Sequence, residues 1–246
     1  MSKRKPVASK QQQVVYADDN VLNFKSYSHA KRPVTLIPKS INQETYISKL
    51  LDPNKLIIFA TGPAGTGKTM LGVMAAVKAL KEGDCKKLII TRPAVGVDDE
   101  QHGFLPGDLN SKMEPWTRPI FDVIAEHYSP RDIVRMLEEQ IIEISPLAYL
   151  RGRTFKNAWV IFDEAQNSTT NQMKMVLTRL GENSKMVVTG DLAQHDRKFV
   201  TENGLRDFIA MLRKSNSKMI DIVDFGNKDI MRHPVVKEIL QLYGEE

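Results

Sequence analysis

A single cysteine, Cys85, stands among 246 residues. One thiol excludes an internal disulfide and any thiolate cluster able to hold a metal, so its expected role is packing. No apolar run approaches the roughly 18 residues that cross a bilayer. The first residues, MSKRKPVASKQQQ, carry basic side chains without the apolar core of a secretory signal. The expectation is a cytoplasmic chain with no membrane partner. His29, His102, His127, His195 and His233 show no metal-ligand spacing. No internal repeat and no second domain boundary is visible.

What is present is ordinary for a globular chain: 41% hydrophobic and 26% charged side chains, which excludes disorder throughout. The net charge of +5 is unevenly placed. Residues 1–33 hold seven basic side chains against Asp18 and Asp19, so this arm carries the whole excess and the remainder is neutral. A basic arm on a neutral body fits contact with phosphate backbones and fits a solubilising tail equally well. The expected organisation is an arm over 1–33 and one domain over 34–246.

From Pro33 onward short apolar runs alternate with amphipathic stretches, the pattern of an α/β fold with a parallel sheet and crossover helices. Strands are predicted at Leu56–Thr61, Leu88–Thr91, Ile141–Ser145, Ala158–Asp163, Met186–Thr189 and Met219–Val223. A helix predicted from Lys68 puts Met70, Val73, Met74, Val77 and Leu80 on one face and ends at Gly83. Further helices are predicted over Thr170–Leu180, Gly204–Arg213 and Val235–Tyr243, the last behind Pro234. Residues 92–140 break the rhythm with an insertion containing GFLPGDL, Pro115 and Pro119.

The strongest chemical signal is Gly62-Pro63-Ala64-Gly65-Thr66-Gly67-Lys68-Thr69, which follows a predicted strand and opens a predicted helix. This is the G-x-x-x-x-G-K-[ST] phosphate loop. Its glycines let backbone N–H groups and the helix start face an anion, Lys68 reaches the β/γ-phosphates, and the Thr69 hydroxyl ligates Mg²⁺. A second apolar strand, Trp159 to Phe162, ends in Asp163 and Glu164. In the Walker B arrangement Asp163 holds Mg²⁺ and Glu164 orients or deprotonates an attacking water. Two acids at a strand end also simply favour the start of a helix. A third strand empties into Thr189-Gly190-Asp191-Leu192-Ala193-Gln194. There Gln194 is a candidate for sensing γ-phosphate or positioning water, and Asp191 for tying its loop to Glu164 or Gln166.

At this point the residues reach a family. DEAQ at 163–166 followed by TGDxxQ at 189–194 resembles motifs II and III of superfamily 1 helicases. More specifically, GPAGTGKT, TRPAV at 91–95, GFLPGDL, PLAYLRGRTF at 146–155, DEAQN, QMKMVLTRLG at 172–181, SKMVVTGD and RHP at 232–234 are similar, in order, to the PhoH-like family. The resemblance implies one RecA-like P-loop NTPase core with a mostly parallel central sheet flanked by helices. It also implies ATP and Mg²⁺ as cofactors, ATP hydrolysis in the cytoplasm, and a homo-oligomeric ring of six subunits linked to RNA or single-stranded nucleic acid. The family's Pro-Lys-x-x-x-Gln segment matches Pro38 to Gln43, which makes Gln43 the candidate reader of the adenine edge. No nuclease domain is attached, so RNA cleavage is not expected.

Fewer than 60 residues follow the TGDxxQ loop, too few for the second core from which two-domain helicases take an arginine. The expectation is a cation supplied in trans by a neighbouring subunit, a contribution of about 10³–10⁵ in rate. Arg232 is the first candidate because its order after the last strand corresponds to helicase motif VI. Arg179, Arg151 and Arg153 are the others. Arg151, Arg153 and Lys156 beside Tyr149 and Phe155 suit single-stranded nucleic acid, and they suit a subunit interface as well. Two competing readings of the whole chain stay open: a P-loop kinase, and a nucleotide-gated assembly or regulatory protein whose turnover is incidental.

Overall fold

Among the described residues, six parallel strands form one sheet. The computed structural model describes residues 33–93, 109–194, 203–231 and 234–242. The strands are β1 (Ile57–Thr61), β2 (Lys87–Thr91), β3 (Ile142–Ile144), β4 (Ala158–Phe162), β5 (Lys185–Gly190) and β6 (Ile220–Asp224). They run in the order β3-β2-β4-β5-β1-β6, and each neighbouring pair is parallel. The helices are α1 (Ile41–Leu51), α2 (Lys68–Glu82), α3 (Leu109–Ala125), α4 (Pro130–Glu138), α5 (Thr170–Leu177), α6 (Gly204–Arg213) and α7 (Pro234–Leu242). This is the RecA-like α/β architecture of a P-loop NTPase.

A parallel sheet must be covered on both faces, and the strand sequences divide their side chains accordingly. Ile58, Ala60, Leu88, Ile90, Trp159, Ile161 and Val187 pack under α1 to α4. Ile57, Phe59, Ile89, Val160, Phe162, Met186 and Val188 pack with α5 and α6 on the other face. Odd and even positions of one strand thus feed two different cores.

The six predicted strands are all present, with small changes at their ends. The edge strand β3 is shorter than predicted, spanning three residues. Helix α2 starts at Lys68 as predicted, and Gly83 caps it in the left-handed conformation, its N–H donating to the Ala79 and Leu80 carbonyls. Its buried surface is wider than the predicted stripe. Leu71, Ala75, Ala76 and Ala79 are also buried, while Met70 is 41% exposed. The reason is that α2 lies between the sheet and both α1 and α3.

Helix α5 stops at Leu177 rather than Leu180. Residues 179–181 instead turn back onto 153–155: Phe155 N donates to Arg179 O, and Gly181 N donates to Phe155 O. The insertion over 92–140 holds two helices that its prolines conceal. Helix α3 runs through Pro115 and Pro119, and Ile120 and Ile124 bury against the α2 side of the core, so tertiary packing outweighs the lost backbone bonds. Most of GFLPGDL lies outside the described residues, as do Tyr243 and the arm 1–32.

Candidate nucleotide site

The carboxyl ends of β1, β4 and β5 meet at one edge of the sheet. Pairing of Thr61 with Gly190 and of Phe162 with Val188 brings the three strand ends to within two residues of one another. Strand β5 lies between β1 and β4, so the loops after β1 and β4 stand about 10 Å apart with the 190–194 loop between them. An open cavity of about 310 Å³ occupies that gap.

The phosphate loop turns directly from β1 into α2. Gly67 caps α2 with φ of 82°, and no side chain caps the first turn, which also carries no acid. The first N–H groups of the helix are thereby left to an anion. Lys68 Nζ donates to the carbonyls of Gly62 and Pro63 at 2.7 Å each. Burial pushes the Lys68 amine down from its ordinary value, while Asp191, Glu164 and Asp163 oppose that shift. Thr66 donates to Pro63 O at 3.0 Å and closes the loop from within.

The hydroxyls of Thr69 and Thr189 both donate to Asp163 Oδ1, the first at 2.9 Å. Two hydroxyls and a carboxylate form an all-oxygen donor set, which suits a hard cation. Among the described residues no group of three or more His, Cys, Asp or Glu is positioned to hold a metal unaided.

Glu164 adopts the left-handed conformation, φ 51° and ψ 39°. For a residue with a Cβ this costs about 1–2 kcal/mol, a strain that proteins retain where a side chain must point in one direction. Its carboxylate accepts from Gln166 Nε2 at 2.5 Å and lies 3.9 Å from Arg92 Nη2.

The family assignment follows from the sequence. The PhoH-like protein family model matches residues 35–244. The chain belongs to the PhoH-like family. PhoH-like proteins of Bacillus subtilis strain 168 and Mycobacterium tuberculosis strain H37Rv are 45% and 43% identical to it over 208 and 215 residues. Protein PhoH of Escherichia coli K12 is 44% identical over 193 residues. These alignments cover 85%, 87% and 78% of this chain but 64%, 60% and 54% of the relatives. The PhoH-like chain therefore spans little more than half to two-thirds of their length. Among solved structures, Pif1 helicase from Candida albicans overlaps 85% of this chain and 44% of its own at a TM-score of 0.40 and 17% identity. A Sulfolobus solfataricus SWI2/SNF2 ATPase core in complex with dsDNA overlaps 63% and 32% at 0.40 and 16%.

In this PhoH-like fold the predicted Lys68, Thr69, Asp163, Glu164 and Gln194 line one cavity together with Ala64, Gly65, Gly67 and Asp191. Gln43 lies behind the loop rather than along that lining. It is 2% exposed, its Nε2 donates to Thr66 O at 2.9 Å, and its Oε1 accepts from Lys39 N at 2.7 Å. Asp191 reaches neither Glu164 nor Gln166 with its carboxylate, which accepts from Ala193 N. Its backbone N–H donates to Gln166 Oε1 instead, at 3.2 Å.

Three of the candidate arginines lie away from the cavity. Arg153 forms a two-pronged ion pair with Glu143, and its guanidinium covers the Phe155 ring at 5.3 Å. Arg179 donates to Met175 O, Arg153 O and the Thr178 hydroxyl. Arg151 is exposed. Arg232 lies outside the described residues, although its neighbour Met231 donates its N–H to Gly65 O at 2.9 Å. Phe155 is buried, so the expected basic and aromatic patch is reduced to Tyr149, Arg151 and Lys156.

Sequence reasoning passed over Thr189, Gln166 and Arg92 as site residues. The usable signal for Thr189 was a hydroxyl at the end of a buried strand beside the Asp163 strand. Gln166 and Arg92 lie inside the DEAQ and TRPAV segments, but neither segment says which group its side chain meets.

Proposed function

We propose that the chain hydrolyses ATP with Mg²⁺ and couples turnover to binding or remodelling of RNA or single-stranded nucleic acid. The observation that carries this reading is the convergence of Lys68, of Thr69 with Asp163, and of the Glu164 carboxylate on one cavity. Loop N–H groups from Gly65 to Lys68 and the start of α2 bind the phosphates, and Lys68 leaves its loop carbonyls for the β/γ-phosphates. Thr69 and Asp163 would hold Mg²⁺, which neutralises charge on the phosphates when bound. Glu164 takes the proton of the attacking water as its oxygen bonds to the γ-phosphorus and the bond to the β-phosphate oxygen breaks. Gln194 orients that water or the γ-phosphate. Gln43 reads the adenine edge with the amide valences left by Thr66 O and Lys39 N.

The test is phosphate release from ATP with and without single-stranded RNA, for the whole chain and for a chain starting at residue 34. The shortened chain is expected to keep its unstimulated rate and to bind RNA more weakly. The salt slope of that binding is expected to flatten by about 0.7 for each RNA phosphate that the arm neutralises in the whole chain. Equal affinity of both chains across a salt series would leave the arm as a solubility tail.

The active assembly in this reading is a homo-oligomeric ring of six subunits, with an arginine of one subunit, Arg232 first, completing the site of the next. Mixing Arg232→Ala subunits with Lys68→Ala subunits is expected to restore hydrolysis, since some boundaries then pair an intact phosphate loop with an intact arginine. Full activity of Arg232→Ala alone would remove Arg232 from this role, and full activity in a verified monomer would end the trans-site reading.

A further inference from the structure

Glu164 is the only carboxylate among the described non-glycine residues with positive φ, the others being Gln140, Asn157 and Asn183. The left-handed backbone turns its side chain toward two groups on different elements. Gln166, 0% exposed, donates from Nε2 to Glu164 Oε2 at 2.5 Å. Arg92, which follows β2, approaches Glu164 Oε1 at 3.9 Å. The far end of the same glutamine amide accepts the backbone N–H of Asp191. Gly190 makes room for this bridge, because a Cβ there would stand 2.8 Å from Gln166 Oε1 and 3.3 Å from Gln166 N.

We propose that Gln166 is the positioning residue of Glu164 and that Arg92 braces the other carboxylate oxygen, so that Glu164 and the 190–194 loop share one geometry. This rests on the reading of Glu164 as the group that acts on water. The oxygen and nitrogen of a planar amide keep a fixed separation. A shift of Asp191, which lines the cavity, is therefore passed through Gln166 to the carboxylate. The Glu164 side chain is itself 34% exposed, and water alone would satisfy its oxygens. What the two protein donors add is direction. A carboxylate free to rotate spends only part of its time aligned with the attacking water, and misplacement by about 1 Å costs on the order of 10²-fold.

The test uses the full chain. Gln166→Met preserves side-chain volume and removes both hydrogen bonds, and Arg92→Gln removes the cation. Each is expected to lower kcat about 10–100-fold while nucleotide Kd stays within about threefold, the signature of a group that acts on the chemical step through another. Arg92→Lys, which keeps a cation, is expected to recover most of the loss. Equal loss in Arg92→Lys and Arg92→Gln would remove Arg92 from the brace.

A readout independent of turnover is the side-chain NH₂ pair of Gln166 in an amide NMR spectrum, assigned by its disappearance in Gln166→Met. In Glu164→Ala, a change at a partly exposed position, that pair is expected to shift and to exchange faster with solvent. An unchanged pair would show that the bridge does not exist. An unchanged kcat in a folded Gln166→Met protein would make Gln166 a structural filler only. If the wild-type chain released no phosphate, the hydrolysis reading would fall, while the NH₂ pair would still decide whether Gln166 holds Glu164.

Discussion

Lys68→Ala is expected to lose nucleotide binding, whereas Glu164→Gln binds ATP and leaves it intact. The two residues share a cavity but act on different parts of the substrate. Lys68 contributes a charged donor to phosphate, and each hydrogen bond to a charged group is worth about 1.5–3 kcal/mol. Its removal therefore weakens binding by about 10- to 150-fold for one such bond, and by more for two. The lysine also ties the Gly62 and Pro63 carbonyls together, so its loss loosens the loop. Glu164→Gln keeps size and one of the two acceptor oxygens but cannot take a proton, which costs about 10²–10⁴ in rate. A fluorescent ATP analogue measures the first effect and phosphate release the second. Normal turnover in Glu164→Gln would remove Glu164 from its assigned role, and tight ATP binding by Lys68→Ala would do the same for the phosphate loop.

Gly62→Ala carries the second large effect, and it acts on stability and binding together. Gly62 has φ of 133°, a conformation that residues with a Cβ rarely adopt. A Cβ at this position would overlap the Phe225 carbonyl oxygen and come within 2.8 Å of its carbonyl carbon. Those atoms belong to backbone that is itself pinned, since Phe225 N donates to Thr61 O at 2.7 Å. Neither side is able to yield cheaply. Backbone strain and overpacking each cost about 1–3 kcal/mol, so a loss of about 2–6 kcal/mol is expected in chemical denaturation. The same shift displaces the carbonyl that Lys68 holds, and nucleotide affinity should fall with it. A comparison with Gly83→Ala separates space from backbone strain, because Gly83 also has positive φ but nothing lies within 4 Å of its would-be Cβ. Equal losses in the two variants would show that the Phe225 contact contributes little.

Much of the sheet and part of the site are legible along the chain because they are written in local patterns. Apolar runs of three to five residues mark β1, β2 and β4, and their alternate positions feed the two cores. The glycine spacing of 62–67 announces a backbone wrapped close to an anion, and two acids after Phe162 mark the end of β4. Patterns failed where packing overrode them. Pro115 and Pro119 read as breakers, yet α3 continues through both. Arg153 and Phe155 read as a free basic and aromatic surface, yet Glu143 claims the first and the core buries the second.

By itself the sequence determined the phosphate loop, the strand-end acids, the strands of the α/β fold and the family, since each is a matter of which residue types follow one another at short spacing. The strand order, and everything that depends on it, was decided only in three dimensions. Placing β5 between β1 and β4 brings the Thr189 hydroxyl to Asp163, 26 residues away, and Thr69 to the same oxygen across 94 residues. The approach of Arg92 to Glu164 depends likewise on β2 lying beside β4. Such contacts leave no periodic trace in a single chain, because hydrogen bonds between side chains on different strands constrain distance in space and not spacing in sequence.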